Sequence, residues 1–140
     1  MYGIVEVSGH QFKVVPGDLI DIEKVDLEVG KSLEINKVLF IGGDNPLIGL
    51  PTVPGATVKA QVVKQAKSRK ILIMKKKPAG KRAKNGHRQP YSALLITEIN
   101  DGKGNVKKID KIEKYIQKTC PKYLVAWKKI REGISNSDVK

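Results

Sequence analysis

The sequence of 140 residues has little of what disulfide-bonded and metal-binding proteins require. It contains one cysteine, Cys120, and two histidines, His10 and His87. One cysteine cannot form an intramolecular disulfide, and these three residues have no spacing typical of a zinc site. We therefore expect no metal ion and no cofactor, in a protein of a reducing compartment.

Long hydrophobic runs and targeting segments are also missing. No apolar run approaches the roughly 20 residues needed to span a bilayer. The first residues, Met1 to Val7, enter strand-like sequence without the basic and apolar regions of a signal peptide. These absences predict a soluble cytoplasmic protein, although a processed organellar protein would look the same.

The motifs of enzyme active sites are absent as well. The chain has no Gly-x-x-x-x-Gly-Lys-Ser/Thr loop, no Gly-x-Gly-x-x-Gly pattern and no pair of acids beside a histidine. Ser8, His10 and Asp18 are the residue types of a catalytic triad, but they fall in a hairpin and a turn. We expect no catalytic residues and no enzyme activity.

The net charge of +13 is distributed unevenly along the chain. Residues 1–44 hold four lysines and eight acids, residues 45–97 hold twelve lysines and arginines and no acid, and residues 98–140 hold eleven against six. A solvated helix would interleave acids with these cations to form i,i+4 pairs. The middle segment therefore predicts a binding site for a polyanion. Because aromatic residues make up only 5% of the chain, phosphate contacts should outweigh base stacking.

The apolar pattern predicts an all-β fold with one core. Short runs rich in β-branched residues, separated by Gly and Pro, recur from residue 2 to residue 99 and include Ser32–Ile41, Ile71–Met74 and Ser92–Ile99. Spacings of about 8 to 12 residues favour a small antiparallel β-barrel in residues 1–99. Residues 75–90 form a basic arm with only Ala and Pro to bury, so we expect a protruding loop that is mobile in the free protein.

The last forty residues change in character. Val106, Ile109, Ile112 and Ile116 recur at helical spacing, and a second apolar set follows Pro121. Residues 100–140 are therefore predicted to be a helical C-terminal extension of two short amphipathic helices. Its apolar stripe would pack either on the barrel or on a neighbouring protein.

The arm and its exit resemble a known family. Residues 81–89 read Lys-Arg-Ala-Lys-Asn-Gly-His-Arg-Gln, with Ser92 after two further residues, which is similar to the motif of the bacterial-type large-subunit ribosomal protein twenty-one. Further matches occur in order at Met1-Tyr2-Gly3-Ile4-Val5, Gly9, Gln11-Phe12-Lys13-Val14, Gly17-Asp18, Ile48-Gly49-Leu50-Pro51 and Val58-Lys59-Ala60. The resemblance implies a β-barrel with a basic loop that binds large-subunit ribosomal RNA beside the large-subunit protein numbered twenty, without catalysis.

The residues expected to contact RNA follow from the charge and from this motif. They are Lys59, Lys64, Lys67, Arg69, Lys70, Lys75, Lys76, Lys77, Lys81, Arg82, Lys84, Gly86, His87, Arg88, Gln89 and Tyr91. Lysines provide mobile point charges for phosphate, and we expect a shape- or base-specific contact from Arg88. Tyr91 would either stack on an unpaired base or be an aromatic at the rim of the barrel.

The predicted function is that of a structural constituent of the large ribosomal subunit, in the cytoplasm. One alternative is a free single-stranded nucleic-acid-binding protein or RNA chaperone, which would use several exposed aromatics on one strand face. Another is a polyanion-binding or partner-adaptor module that uses the helices of the extension. The arm and its flanking strands offer Tyr91 alone for stacking.

Overall fold

A computed structural model describes residues 1–109, and residues 110–140 lie outside the described part of the chain. The described residues form an all-β structure, which confirms the predicted class. The strands are β1 (Tyr2–Val7), β2 (His10–Val14), β3 (Leu19–Glu23), β4 (Ser32–Ile35), β5 (Val38–Gly42), β6 (Leu47–Ile48), β7 (Thr57–Lys67), β8 (Ile71–Lys76), β9 (Arg82–His87), β10 (Pro90–Asn100) and β11 (Val106–Lys108).

The first sheet is built around the N-terminal hairpin. Its strand order is β2-β1-β5-β6, and all of its pairings are antiparallel. Ser8 and Gly9 connect β1 to β2 with φ angles of 51° and 81°, the left-handed region that primed hairpin turns require. The hairpin in which the sequence analysis places Ser8 and His10 is therefore confirmed.

The second sheet is built around the two longest strands, β7 and β10, which pair antiparallel along their length. β4 pairs with the other edge of β7. The edge of β10 that faces away from β7 pairs with two strands. β3 pairs with residues 91–95, and β11 pairs with residues 98–100. Every strand pairing in this sheet thus involves β10 or β7.

The core lies between these two sheets. It combines Val5, Val14 and Val38 of the first sheet with residues such as Val62 and Leu94 of the second, all fully buried. On β7, Val58, Ala60 and Val62 alternate with more exposed residues, as the period of two in the sequence predicts. Apolar burial between the sheets is the main stabilising contribution.

The barrel predicted from the sequence differs from this arrangement. The strands form two packed sheets and a separate two-stranded ribbon, and the pairings within residues 1–109 do not close a ring. The apolar run of residues 32–41, taken as one strand, breaks at Asn36 and Lys37 into β4 and β5, which join different sheets. Because β4 and β1 are not paired with each other, the sheets stay open there.

The predicted helical extension is corrected at its start. Val106, placed in a helical pattern, begins β11, which pairs with β10 and extends the second sheet. Asp101 holds the connecting turn: its carboxylate accepts hydrogen bonds from the backbone N–H groups of Lys103 (2.8 Å) and Asn105 (3.0 Å). The bond from Lys103, helped by those from Asn105, keeps the pKa of Asp101 below its usual value.

The rest of the predicted helices lies outside the described residues. Within residues 1–109 there is no helix long and apolar enough to cross a membrane.

A glycine in the first sheet is required by close backbone contacts. A Cβ added at Gly49 would lie 2.6 Å from the Thr52 carbonyl carbon and 2.7 Å from the Leu39 carbonyl oxygen. We expect Gly49→Ala to lower the free energy of unfolding by about 1–3 kcal/mol, because backbone atoms must shift to make room. Urea denaturation measures this loss.

The matched control is Gly43→Ala in the preceding connection, between β5 and β6. There the nearest atom would be the Met1 Cα at 3.7 Å, an ordinary contact. Its effect should stay within about 0.5 kcal/mol, as for most surface substitutions. Equal stability of both variants would show that the chain around Gly49 is loosely packed.

Candidate nucleic-acid interface

The basic arm forms a β-hairpin, which the sequence reading did not foresee. β8 and β9 pair antiparallel over six residue pairs, from Ile71 opposite His87 to Lys76 opposite Arg82. The turn between them is closed by a hydrogen bond from the Lys77 N–H to the Lys81 carbonyl, 3.0 Å long. Gly80 in this turn has a φ of 74°, which suits glycine. We call residues 71–87 the basic hairpin.

The basic hairpin has two chemically different faces. Residues directly opposite each other in an antiparallel pair project to the same side, and the sides alternate along the strand. Lys76, Arg82 and Lys84 therefore share one side, which we call the charged face. Lys75 lies on the other side, opposite Ala83. The hairpin thus presents most of the charge of its strands in one direction.

A lysine before the hairpin joins the charged face by lying over a glycine. A Cβ added at Gly86 would lie 2.3 Å from the Cε atom of Lys70 and 3.3 Å from its Nζ atom. The side chain of Lys70 therefore occupies the space above Gly86. An RNA contact by Gly86 stays a prediction.

The hairpin side chains are exposed on both faces. Every residue of β8 and β9 is exposed, including Ile71 at 58% and Met74 at 69%. Among residues 1–109, no salt bridge uses a lysine or arginine of the hairpin. The charge of the hairpin is therefore available to an external polyanion.

The motif residues at the end of the hairpin hold it to the body. Arg88 donates from Nε to the Ser68 carbonyl (2.9 Å) and from Nη2 to the Lys67 carbonyl (3.4 Å). The Ser68 N–H donates to the Gln89 carbonyl (2.8 Å), and the Gln89 N–H donates to the Ser68 hydroxyl (3.1 Å). We call Lys67, Ser68, Arg88 and Gln89 the hairpin root. They fix the direction in which the hairpin leaves the sheet.

A second set of contacts links the root to β3. The Gln89 Nε2 atom donates to the carboxylate of Glu23 at 2.8 Å, and the Gln89 Oε1 atom lies 2.8 Å from Nε2 of His87. His87, Gln89 and Glu23 thus form one hydrogen-bonded chain across the base of the hairpin. The His-Arg-Gln stretch, predicted to contact RNA, makes intramolecular contacts at each of its three side chains.

Comparison with known proteins shows the family of the chain. A family model described as "Ribosomal prokaryotic L21 protein" matches residues 1–99. "Large ribosomal subunit protein bL21" of Syntrophotalea carbinolica is 44% identical over 100 residues, which cover 71% of this chain and 98% of that protein. The chain belongs to this ribosomal protein family. The resemblance read from the motif is thereby confirmed, and a ribosomal protein of this family is a structural component rather than an enzyme.

The predicted flanking cations of this ribosomal protein divide into two groups. Lys67, Arg69 and Lys70 are exposed at or beside the hairpin root, and Lys64 lies farther back on β7, also exposed. Lys59 lies eight residues before Lys67, about 26 Å along an extended strand. The register places it between Glu34 of β4 and Glu98 of β10. Because of this distance along β7, the structure does not bring Lys59 together with the hairpin.

Several residues in or next to the ribosomal protein's hairpin root were missed by the sequence analysis. Glu23 and Ser68 were not named, although both hold the motif residues in place. Lys24, beside Glu23, was missed too and lines a cavity next to Tyr91. No local pattern could have found Glu23, because it lies 66 residues from Gln89 in the chain. Among the described residues, no group of three His, Cys, Asp or Glu side chains is placed to hold a metal ion.

Proposed function

We propose that this ribosomal protein binds large-subunit ribosomal RNA through the charged face of its basic hairpin and so stabilises the fold of that RNA. It is a structural constituent of the large ribosomal subunit, acts in the ribosome in the cytoplasm and has no enzyme activity. The observation that carries the proposal is the exposed hairpin whose cations form no salt bridge within residues 1–109.

The arrangement of the charges suits a phosphate backbone. Lys76, Arg82 and Lys84 lie on one side of a ribbon whose six residue pairs fix their spacing. Lysine ammonium groups bind phosphate as point charges, and the guanidinium of Arg82 can bind one phosphate through two hydrogen bonds. A hairpin ordered before binding also loses less conformational entropy on the RNA than a coil would. Phosphates of adjacent RNA segments could then pack closely around the hairpin.

The remaining predicted contacts belong to the same proposal. Lys75, Lys77, Lys81, Lys67, Arg69 and Lys70 would add to the field around the hairpin, while Lys59 and Lys64 would contribute from the sheet. Gly86, His87, Arg88 and Gln89 would act mainly by shaping and orienting it. A direct RNA contact by Arg88 stays a prediction. Its Nη1 atom would make that contact, because this atom makes no hydrogen bond within residues 1–109.

A protein neighbour is part of the proposal as well. The family resemblance implies the large-subunit protein numbered twenty. Ile48 of β6 and Leu50 just after it support a protein contact, because they are 74% and 93% exposed. They lie apart in sequence from the basic hairpin, so RNA and protein would use different surfaces.

We also propose a division of the chain into two parts. Residues 1–99, which match the family model, would be the RNA-binding unit, and residues 100–140 a lineage-variable extension. The sequence pattern favours helices in the part of this extension that the structure does not describe. A variant truncated after Lys108 would keep β11, which pairs with β10.

Sedimentation with purified large subunits through a high-salt cushion tests the proposed function. The protein should pellet with subunits that lack it, because an assembled ribosomal protein stays bound where salt weakens non-specific contacts. Removal of β8, β9 and their turn should abolish pelleting. A protein that washes off in high salt would instead behave as a free RNA chaperone, and the proposal would fail.

A further inference from the structure

A cavity of about 200 Å³ lies beside the hairpin root. It is lined by Lys24, Gln65, Ala66, Lys67, Pro90 and Tyr91. Typical sites for complete small molecules measure roughly 300–1,000 Å³. This cavity is smaller, so it suits a single ring system whose remaining atoms extend into solvent.

The walls of the cavity carry a planar ring and an apolar ring. Tyr91 is half-buried and lies directly opposite Ala66 in the pairing of β10 with β7, and Pro90 lies opposite Lys67. Pro90 is the first residue of β10, where a strand tolerates proline. An aromatic side chain beside a small residue leaves room for a second flat ring to stack on it.

The rim of the cavity carries positive charge. Lys24 and Lys67 are exposed, and within residues 1–109 the ammonium of Lys67 has no salt bridge. The ammonium of Lys24 lies 4.0 Å from Asp26, whose side chain is 98% exposed, and such a surface pair is weak. The Glu23 carboxylate, opposite Tyr91 in the sheet, accepts from Gln89. An anionic group attached to the ring would therefore find cations at the rim.

The polar group of the cavity is fixed in orientation. The amide nitrogen of Gln65 donates to the carbonyls of Val25 and Leu27. Both of its hydrogens are used in this way, so the carbonyl oxygen, a hydrogen-bond acceptor, is the atom of this side chain left for a ligand. A ring that carries an amino group matches this acceptor.

We propose that this cavity binds one unpaired nucleotide of RNA, with its base stacked on Tyr91 and its phosphate beside Lys67 and Lys24. The inference rests on the proposed function, because the hairpin brings the RNA to this position. The hairpin contacts phosphates, whereas the cavity contacts a base. A base with an exocyclic amino group is preferred. The protein then distinguishes an unpaired nucleotide from a continuous duplex at the hairpin root.

The test uses a single-stranded RNA hexanucleotide with one central 2-aminopurine. Fluorescence quenching of this base reports its stacking, and fluorescence anisotropy of an end label reports total binding. The full-length protein and Tyr91→Phe should both quench the base, because both side chains present a flat aromatic ring. Tyr91→Leu should need roughly 5- to 100-fold more protein to reach the same quenching, the loss expected for one stacked base. Circular dichroism tests whether Tyr91→Leu is folded.

Each outcome separates the pocket from the hairpin. Quenching that is unchanged in Tyr91→Leu while anisotropy reports binding overturns the nucleotide pocket and leaves the hairpin proposal in place. If the wild-type protein produces no change in anisotropy at low salt, RNA binding itself fails. If Tyr91→Leu unfolds, Lys67→Gln takes its place and should weaken quenching more than Lys37→Gln, a change of equal charge in the connection between β4 and β5. Equal effects would overturn the pocket.

Discussion

Replacing three residues of the charged face with alanine should weaken RNA binding roughly 100- to 500-fold at 0.1 M salt. In the variant with Lys76→Ala, Arg82→Ala and Lys84→Ala, each lost phosphate contact lowers the slope of log affinity against log salt by about 0.7–0.9. The three losses together lower it by roughly two to three units. Titrations of large-subunit RNA at several salt concentrations measure both quantities.

The two faces of the hairpin provide a matched control for this result. Lys84→Ala and Lys75→Ala remove the same charge from the same hairpin but from opposite faces. The slope should fall by nearly one unit for Lys84→Ala and by less for Lys75→Ala. Equal changes would mean that the RNA senses only the total charge of the hairpin and not the direction in which its faces point.

Changing Arg88 to lysine should weaken binding to large-subunit RNA by about 1–3 kcal/mol with little change in the salt slope. The charge is kept, whereas the planar group that reaches the carbonyls of Ser68 and Lys67 is lost. The hairpin then leaves the body in a less defined direction, so more ordering must occur on binding. Arg82→Lys on the charged face is the control and should have a smaller effect, since its charge can still neutralise phosphate.

Hydrogen exchange in the free protein separates positioning from base recognition. The backbone N–H of Ser68 donates to the Gln89 carbonyl, and that of Gln89 donates to the Ser68 hydroxyl. If Arg88 positions the hairpin, both amides should exchange faster in Arg88→Lys, because local opening of the root becomes easier. An arginine that only reads a base would leave exchange in the free protein unchanged.

The sequence predicted the features that depend on local pattern. Alternation of Val58, Ala60 and Val62 gave the buried face of β7, and Ser8-Gly9 gave the first hairpin. The absence of acids in residues 45–97 indicated the basic surface. These signals are set by neighbours in the chain, so a single sequence is sufficient to read them.

The basic arm is ordered because β8 pairs with β9, a pairing that the sequence alone did not reveal. Residues 75–90 have little to bury, and we therefore expected a mobile loop. The run from Ile71 to Met74 is rich in residues that favour strands, and in the structure it pairs with Arg82–His87 rather than joining the core. The apolar run indicated a strand correctly. That this strand, β8, lies outside both sheets follows from its pairing with β9, which only the structure shows.

The roles of the motif residues required contacts between distant parts of the chain. Arg88 and Gln89 contact Ser68 and Glu23, and nothing in their own spacing indicates those partners. The boundary at residue 99 likewise followed the family resemblance, whereas β11 continues the sheet to Lys108. The first feature depends on side-chain contacts between distant residues, and the second on the pairing of β11 with the strand directly before it, β10.

Acetylation of lysines in purified large subunits tests most directly whether the hairpin binds ribosomal RNA. Mass spectrometry compares the labelling rates of Lys76, Lys81 and Lys84 in the free protein, in the intact subunit and after ribonuclease digestion of the subunit. We predict fast labelling in the free protein, where these side chains are exposed, strong protection in the subunit and renewed labelling after digestion. Equal rates in the free protein and the intact subunit would contradict the account.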